Sequence, residues 1–315
     1  MLHLRLITPA GQTEEAVRLI EGTRGTTHLC VLAGAARDPA GDVVLCDVAR
    51  EAADDLLSGL QRLGLDTTGS ISVENVDLSL SERADRAEKE APGEGADAVL
   101  WEHLTEATHE ESTLSVTYLS FLTLATMIAA CGVVLDNAAL IVGAMAVGPE
   151  FGPLAGISTA TVQRRPRLAM RSLIALLVGF AVAMVLTVGF SLCMDAVGLF
   201  TKEQLEAERP QTGFVYAPDW FSFVVAVLAG AAGTLSLTSA KSGALVGVAI
   251  SVTTVPAAAN AAVALSYGDT VQTWGSTEQL LLNLLGITLA GTLTLLTQKQ
   301  LWRKQHARLR RRAAA

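Results

Sequence analysis

A chain of 315 residues that is 50% hydrophobic and only 17% charged, with a mean hydropathy of +0.42, is not an ordinary soluble protein, since soluble domains carry about 25% charged residues. Its formal charge of −8 excludes a globally basic surface for nucleic acid. Cys30, Cys46, Cys131 and Cys193 are split between polar and apolar stretches and read as free thiols, not a disulfide framework.

The opening MLHLRLITPAGQTEEAV has too short an apolar run for a signal peptide and turns acidic at once. Leu2 to Ile7 alternates as a strand. Thr13 to Glu21 reads as a helix with Thr13 as N-cap and Glu14 and Glu15 in the first turn. Thr27 to Ala33 and Asp42 to Val48 are strand-like, joined by the turn DPAG at Asp38 to Gly41. Glu51 to Leu63 carries apolar residues at helical spacing, and Thr68 to Leu78 alternates again, with Ile71, Val73 and Val76 on the expected inner face. Strand, helix, strand, strand, helix, strand is the ferredoxin-like βαββαβ order, expected for residues 1–80. Gly22, Gly25 and Gly34 match no phosphate loop. His3 and His28 could meet across strands but read as solvent-facing positions. Such a domain hosts many functions, so its role is either regulatory ligand binding or oligomerisation.

Residues 81–113 form a charged linker, with Pro92, Gly93 and Gly95, and then an amphipathic helix from Val99 to Ser112. Leu100, Leu104 and Ala107 share one face beside Trp101. The acidity of the other face favours packing beneath a membrane bundle over attraction to anionic lipid.

A spanning helix needs about 20 mostly apolar residues. Residues 114–298 hold six such stretches: Leu114 to Leu135, Asn137 to Val162, Leu168 to Val197, Trp220 to Ser239, Ser242 to Leu265 and Leu280 to Thr297. The second and fifth are interrupted by proline. With the N-terminal domain in the cytoplasm, Arg164, Arg165, Arg167, Arg171, Lys241 and the basic tail 299–315 fall inside, while Asp136, Asp195, Glu203, Glu206, Asp219 and Asp269 fall outside. This satisfies the positive-inside rule at every loop and predicts a multi-pass protein of the cell inner membrane with both termini cytoplasmic. ALIVGAMA at Ala139 to Ala146 and ALVGVAI at Ala244 to Ile250 each sit in the middle helix of a three-helix set. Each is followed by a breaking proline, which predicts a 3+3 inverted repeat.

The runs IVGAMAVGPEFGPLAGI and GALVGVAISVTTVP, with WEHL and LSVTYLSFLTLATMIAACGVVLDNAALIVGAM before them, resemble family 389 of the domains of unknown function, hydrophobic prokaryotic membrane proteins. The resemblance covers roughly Val99 to Leu296 and implies a membrane bundle without a settled activity, substrate or catalytic residue. Members of that family usually carry an apolar pair where this chain has Glu150 and Phe151.

The break Gly148–Pro153 must be buried in protein or line a wet cavity. A carboxylate there, Glu150, is a functional candidate by default, able to bind a cation or carry a proton. Pro149, Gly152 and Pro153 shape the break; Thr253, Thr254, Pro256 and Asn260 are their counterparts in the fifth stretch. Lys241 could pair with Glu150 or meet lipid phosphate, and Asp136 and Asn137 are expected to cap the second membrane helix. No catalytic or metal-ligand spacing is present, so neither an enzyme nor a cofactor is expected. The sequence therefore predicts a transporter or channel for an ion or small solute, homo-oligomeric in the lipid bilayer. The alternative is a membrane-anchored sensor or scaffold whose bundle moves nothing.

Overall fold

The computed structural model describes residues 1–76, 78–91, 99–239 and 253–313, with side chains described as far as Trp302. It divides into two compact units, residues 1–102 with 300–315, and residues 103–299.

The first unit is built on a four-stranded antiparallel sheet of β1 (Leu2–Thr8), β2 (Thr26–Arg37), β3 (Ala40–Val48) and β4 (Ser70–Asn75), in the order β2-β3-β1-β4. Between them run α1 (Thr13–Glu21), α2 (Arg50–Arg62) and a one-turn α3 (Leu65–Thr68), which the sequence reading did not include. Leu2, Leu4 and Leu6 of β1 and Val44, Cys46 and Val48 of β3 alternate onto one face and bury against Ala16, Ile20, Leu56 and Leu60. That period-2 pattern is what makes one face of a pleated strand apolar. Two expectations are corrected. Thr13 is the first helical residue, not the cap; Gln12 is the cap residue, and the Thr13 hydroxyl donates to Asp42 Oδ2 at 2.6 Å. In the edge strand β4, Val73 is exposed, although it pairs with the buried Leu4 of β1.

His3 and His28 do meet. Asp47 stands opposite His3 in the β1–β3 register, and its two oxygens take His3 Nδ1 and His28 Nδ1, each at 2.7 Å. A bulge between Thr27 and Cys30 leaves His28 at a φ of 52°, which turns it towards Asp47. His28 Nε2 reaches Ser81 Oγ, the N-cap of α4 (Glu82–Glu90), and the N-terminal amine pairs with Glu88.

The second unit is helical. α5 (Trp101–Glu111) leads into it and buries Leu104, Thr105 and Thr108. Thr105 bonds Gln163, Ser172 donates to Ser112, and Arg171 donates to Thr113, so this stretch packs against the helices that hold Gln163 and Arg171. Then follow α6 (Val116–Val134), α7 (Ala138–Val147), α8 (Phe151–Gln163), α9 (Pro166–Ala196), α10 (Lys202–Glu206), α11 (Trp220–Thr238), α12 (Thr254–Ser266) and α13 (Thr270–Ala313). Four helices, α6, α9, α11 and Thr270–Trp302 of α13, are long and apolar enough to cross a bilayer; the pair α7 and α8, bent by 52°, counts as a fifth if taken as one broken span. The last span starts ten residues earlier than Leu280, since Asp269 accepts from the amides of Val271 and Gln272 and begins the helix there. Beyond Lys299 the chain stays helical to Ala313, so the basic segment is an extension of α13.

The ends of these helices sort by charge. At one end Lys299 Nζ donates to Val162 O, Gln298 to Thr238 Oγ1 and Arg171 to Thr113. At the other, Tyr267 donates to Asp195, Gln272 to Leu205 O and Thr212 to Asp136.

Candidate functional site

The site grows from two interrupted helices. α7 ends at Gly148, where Pro149 supplies no amide to continue it. Ten residues of α7 rise about 15 Å, half of a hydrocarbon core about 30 Å thick. α8 then starts at Phe151 with Pro153 as its third residue, and α12 starts at Thr254 with Pro256 as its third. Both prolines therefore lie in a first turn, where no intrahelical donor is lost. They start half-helices; they do not kink continuous ones. α8 runs from this point to the Lys299 end, and α12 to the Tyr267 end, so the two N-termini meet head to head.

Glu150 sits where they meet. It is the N-cap residue of α8 and only 4% exposed. Its Oε1 accepts from Thr254 Oγ1 at 2.7 Å, the first residue of α12, while Oε2 is buried without a hydrogen-bond partner. The place of a Cβ on Gly148 is taken by Glu150 Oε2 and Val255, so only glycine lets α7 end so close to the carboxylate. Gly152 is needed for a different reason, since its open side is filled by the Glu111 side chain. It belongs to packing beside the site, as do Pro153 and Pro256, which are fully covered by protein.

Thr253 extends the site. Its Oγ1 accepts from Asn283 Nδ2 at 2.8 Å, and Gln279 Nε2 donates to Asn283 Oδ1. Gln272, Ser276, Gln279 and Asn283 are spaced by four, three and four residues, one face of α13. Ser276, Gln279 and Asn283 are buried, and Gln279 Oε1 has no partner. Asn260 of α12 donates to Ser276 at 2.7 Å. The result is a buried column of hydroxyls and amides, about 16 Å from Gln272 to Asn283 along the helix, that leads to the Thr253–Thr254–Glu150 corner. A cavity of about 410 Å³ shares Thr253 and Asn283 with this corner and is lined also by Gln211, Asp219, Ile141 and Val225.

The column is closed at its Gln272 end by Arg209. This residue is 5% exposed and donates to Asn260 Oδ1 at 2.8 Å and to Gln272 Oε1, with the Tyr216 ring 4.8 Å from the guanidinium carbon. Burial pulls its pKa below the ordinary arginine value, against the opposite pull of Tyr216, Asp136 and Asp269; arginine stays charged regardless.

Asn137 caps α7 through the amides of Ala139 and Leu140. Asp136 does other work: it accepts from the amides of Gln211 and Thr212 and from the Thr212 hydroxyl. Lys241 lies outside the described residues. The sequence reading missed Arg209, Ser276, Gln279 and Asn283. The polar stripe was there to be read, but starting the last span at Leu280 left three of its four members outside the membrane.

Residues 145–289 match the family model described as a domain of unknown function, DUF389. The chain carries a DUF389 domain. The matched segment starts inside α7 and ends inside α13, so the DUF389 domain holds the break, both half-helices and the polar face of α13. It is narrower than the stretch over which the sequence resembles the family. An uncharacterized protein of Methanocaldococcus jannaschii is 25% identical over 225 residues, which cover 70% of this chain and 68% of that protein. No solved structure matches the chain. The protein is a multi-pass membrane protein whose DUF389 domain brings no activity with its name.

Proposed function

We propose that this protein is a transporter or channel for an ion or small solute, not an enzyme, and that Glu150 is the point in the membrane where a proton or cation is held. One observation carries the reading: a buried carboxylate, with one oxygen lacking any donor, stands where two half-helices begin. Intramembrane carboxylates are costly and are retained where they bind or relay charge. Paired broken helices near the midplane are the usual form of a transporter site.

Six crossings arranged as a 3+3 inverted repeat fit the same reading. That Thr238 lies at the Lys299 end and α12 runs to the Tyr267 end supports a further crossing, of which α12 would be the outer half. The basic end then faces the cytoplasm of the inner membrane with both termini, and residues 1–80 act there as a ferredoxin-like regulatory or oligomerisation domain.

The test is flux through proteoliposomes. Glu150→Gln keeps the shape and removes the charge. Proton- or cation-dependent flux should fall about tenfold, the effect of losing roughly 1.4 kcal/mol of binding. If wild type moves no proton, alkali cation or small organic cation, and Glu150→Gln changes nothing, the bundle is inert. The sensor or scaffold reading then replaces this one.

A further inference from the structure

We propose that Arg209 is a built-in plug, a tethered cation that occupies the outer end of a cation pathway and is withdrawn to open it. The inference rests on the transport reading for its cargo and adds the sign of that cargo's charge.

The chemistry around the guanidinium is that of a cation site. Arginine has donors only, so Asn260 and Gln272 must turn their oxygens towards it, and Tyr216 offers a ring face, a further cation ligand. Further along the column the atoms without partners are also oxygens, Gln279 Oε1 and Glu150 Oε2. A cation released from the Arg209 position would thus meet a series of oxygen ligands ending in a carboxylate. Asp136, Asp219 and Asp269 lie at the same end of the bundle.

Arg209 is also poised to leave. No carboxylate among the described residues is in ion-pair contact with it, and its Nε is buried without a partner. Its direct partners are neutral, and Asp136 and Asp269 act on it only from beyond ion-pair contact, so its withdrawal to water breaks no buried ion pair. The segment that carries it is held down next door, by the Asp136 hydrogen bonds to Gln211 and Thr212 and by buried Leu205 and Val215.

The experiment is thiol access to the column in purified protein in lipid nanodiscs. Ser276→Cys introduces the target, and labelling is followed on its own peptide by mass spectrometry. The reagents are a trimethylammonium methanethiosulfonate and its sulfonate counterpart. Adding Arg209→Gln should raise the labelling rate about tenfold, the scale of one lost charge-assisted interaction, and the cationic reagent should react faster than the anionic one. Should Arg209→Gln fail to fold, Asp136→Ala frees the same segment and should do the same. Unchanged labelling in a folded variant would overturn the plug, and preference for the sulfonate would overturn the cation pathway. The readout needs no flux. Access that opens while Glu150→Gln leaves flux untouched removes the transport reading alone; the converse removes the plug alone.

Discussion

Asp47 shows how one side chain can organise a strand face. Burial alone would raise its carboxyl, but hydrogen bonds from His28 and His3, and their charge, outweigh that and hold it below the ordinary aspartate value. A group whose folded value is depressed stabilises the fold above its unfolded value and loses that contribution as the pH falls through the folded one. The protection of the β1 and β3 amides against hydrogen exchange, relative to the intrinsic rate at each pH, should therefore be steady above about pH 4 and fall below it. Asp47→Asn should remove that acid-sensitive component and leave faster exchange at neutral pH. Its neighbour Cys46 behaves oppositely. Burial, and then the Asp47 charge, push its thiol up to about 12, so it should resist maleimide until the sheet unfolds. Cys30, exposed on β2, should label in the native protein, and equal labelling of the two would count against the sheet as described. The sequence shows both histidines and the aspartate, but strand alternation cannot reveal a bulge, and only the bulge brings His28 round.

At the scale of elements, close packing of helices decides which glycines matter. A Cβ on Gly230 of α11 would stand 2.6 Å from the backbone oxygen of Ile287 on α13. Two helices that touch backbone to backbone tolerate nothing larger. Gly230→Val should cost about 1–3 kcal/mol, read as a lower thermal midpoint in detergent. Gly179 is filled in the same way by Tyr118 and Leu122, whereas Gly189 is exposed with open space beside it. Gly179 and Gly230 thus serve packing within one chain, while Gly189 faces open space. Pro256→Ala should change stability by less than about 1 kcal/mol, because a first-turn proline contributes no broken bond to repair; a large loss would mean the helix continues through that position. The elements themselves were legible. Hydropathy located α6, α9 and α11 to within a few residues, because each is a single apolar run between capping polar residues. The break at Gly148–Pro149 was legible from its prolines. What lies across from it was not, since the approach of Thr254 to Glu150 joins residues 104 positions apart and no local pattern encodes it.

For the whole molecule, the sorting of charge to opposite ends is the feature that experiment reaches most directly. Single cysteines near Glu206 and Asp269 should label from outside the cell with a membrane-impermeant maleimide, and those near Arg165 only after permeabilisation. Labelling of Arg165 and Glu206 positions from the same side would break the six-crossing arrangement. Mass measurement in mild detergents should give a multiple of the 32.9 kDa chain, and a strict monomer in several detergents would set the homo-oligomer aside. The meeting of two half-helices at one carboxylate also bears on selectivity. Each N-terminus contributes about half an elementary positive charge, so with Glu150 ionised the centre of the bundle is close to electrically neutral without any basic side chain. Glutamine at position 150 would leave the two positive poles facing each other unopposed. The same substitution that weakens cation passage should then convert the midpoint into a trap for halide, and a chloride leak appearing as the cation flux disappears would be its signature.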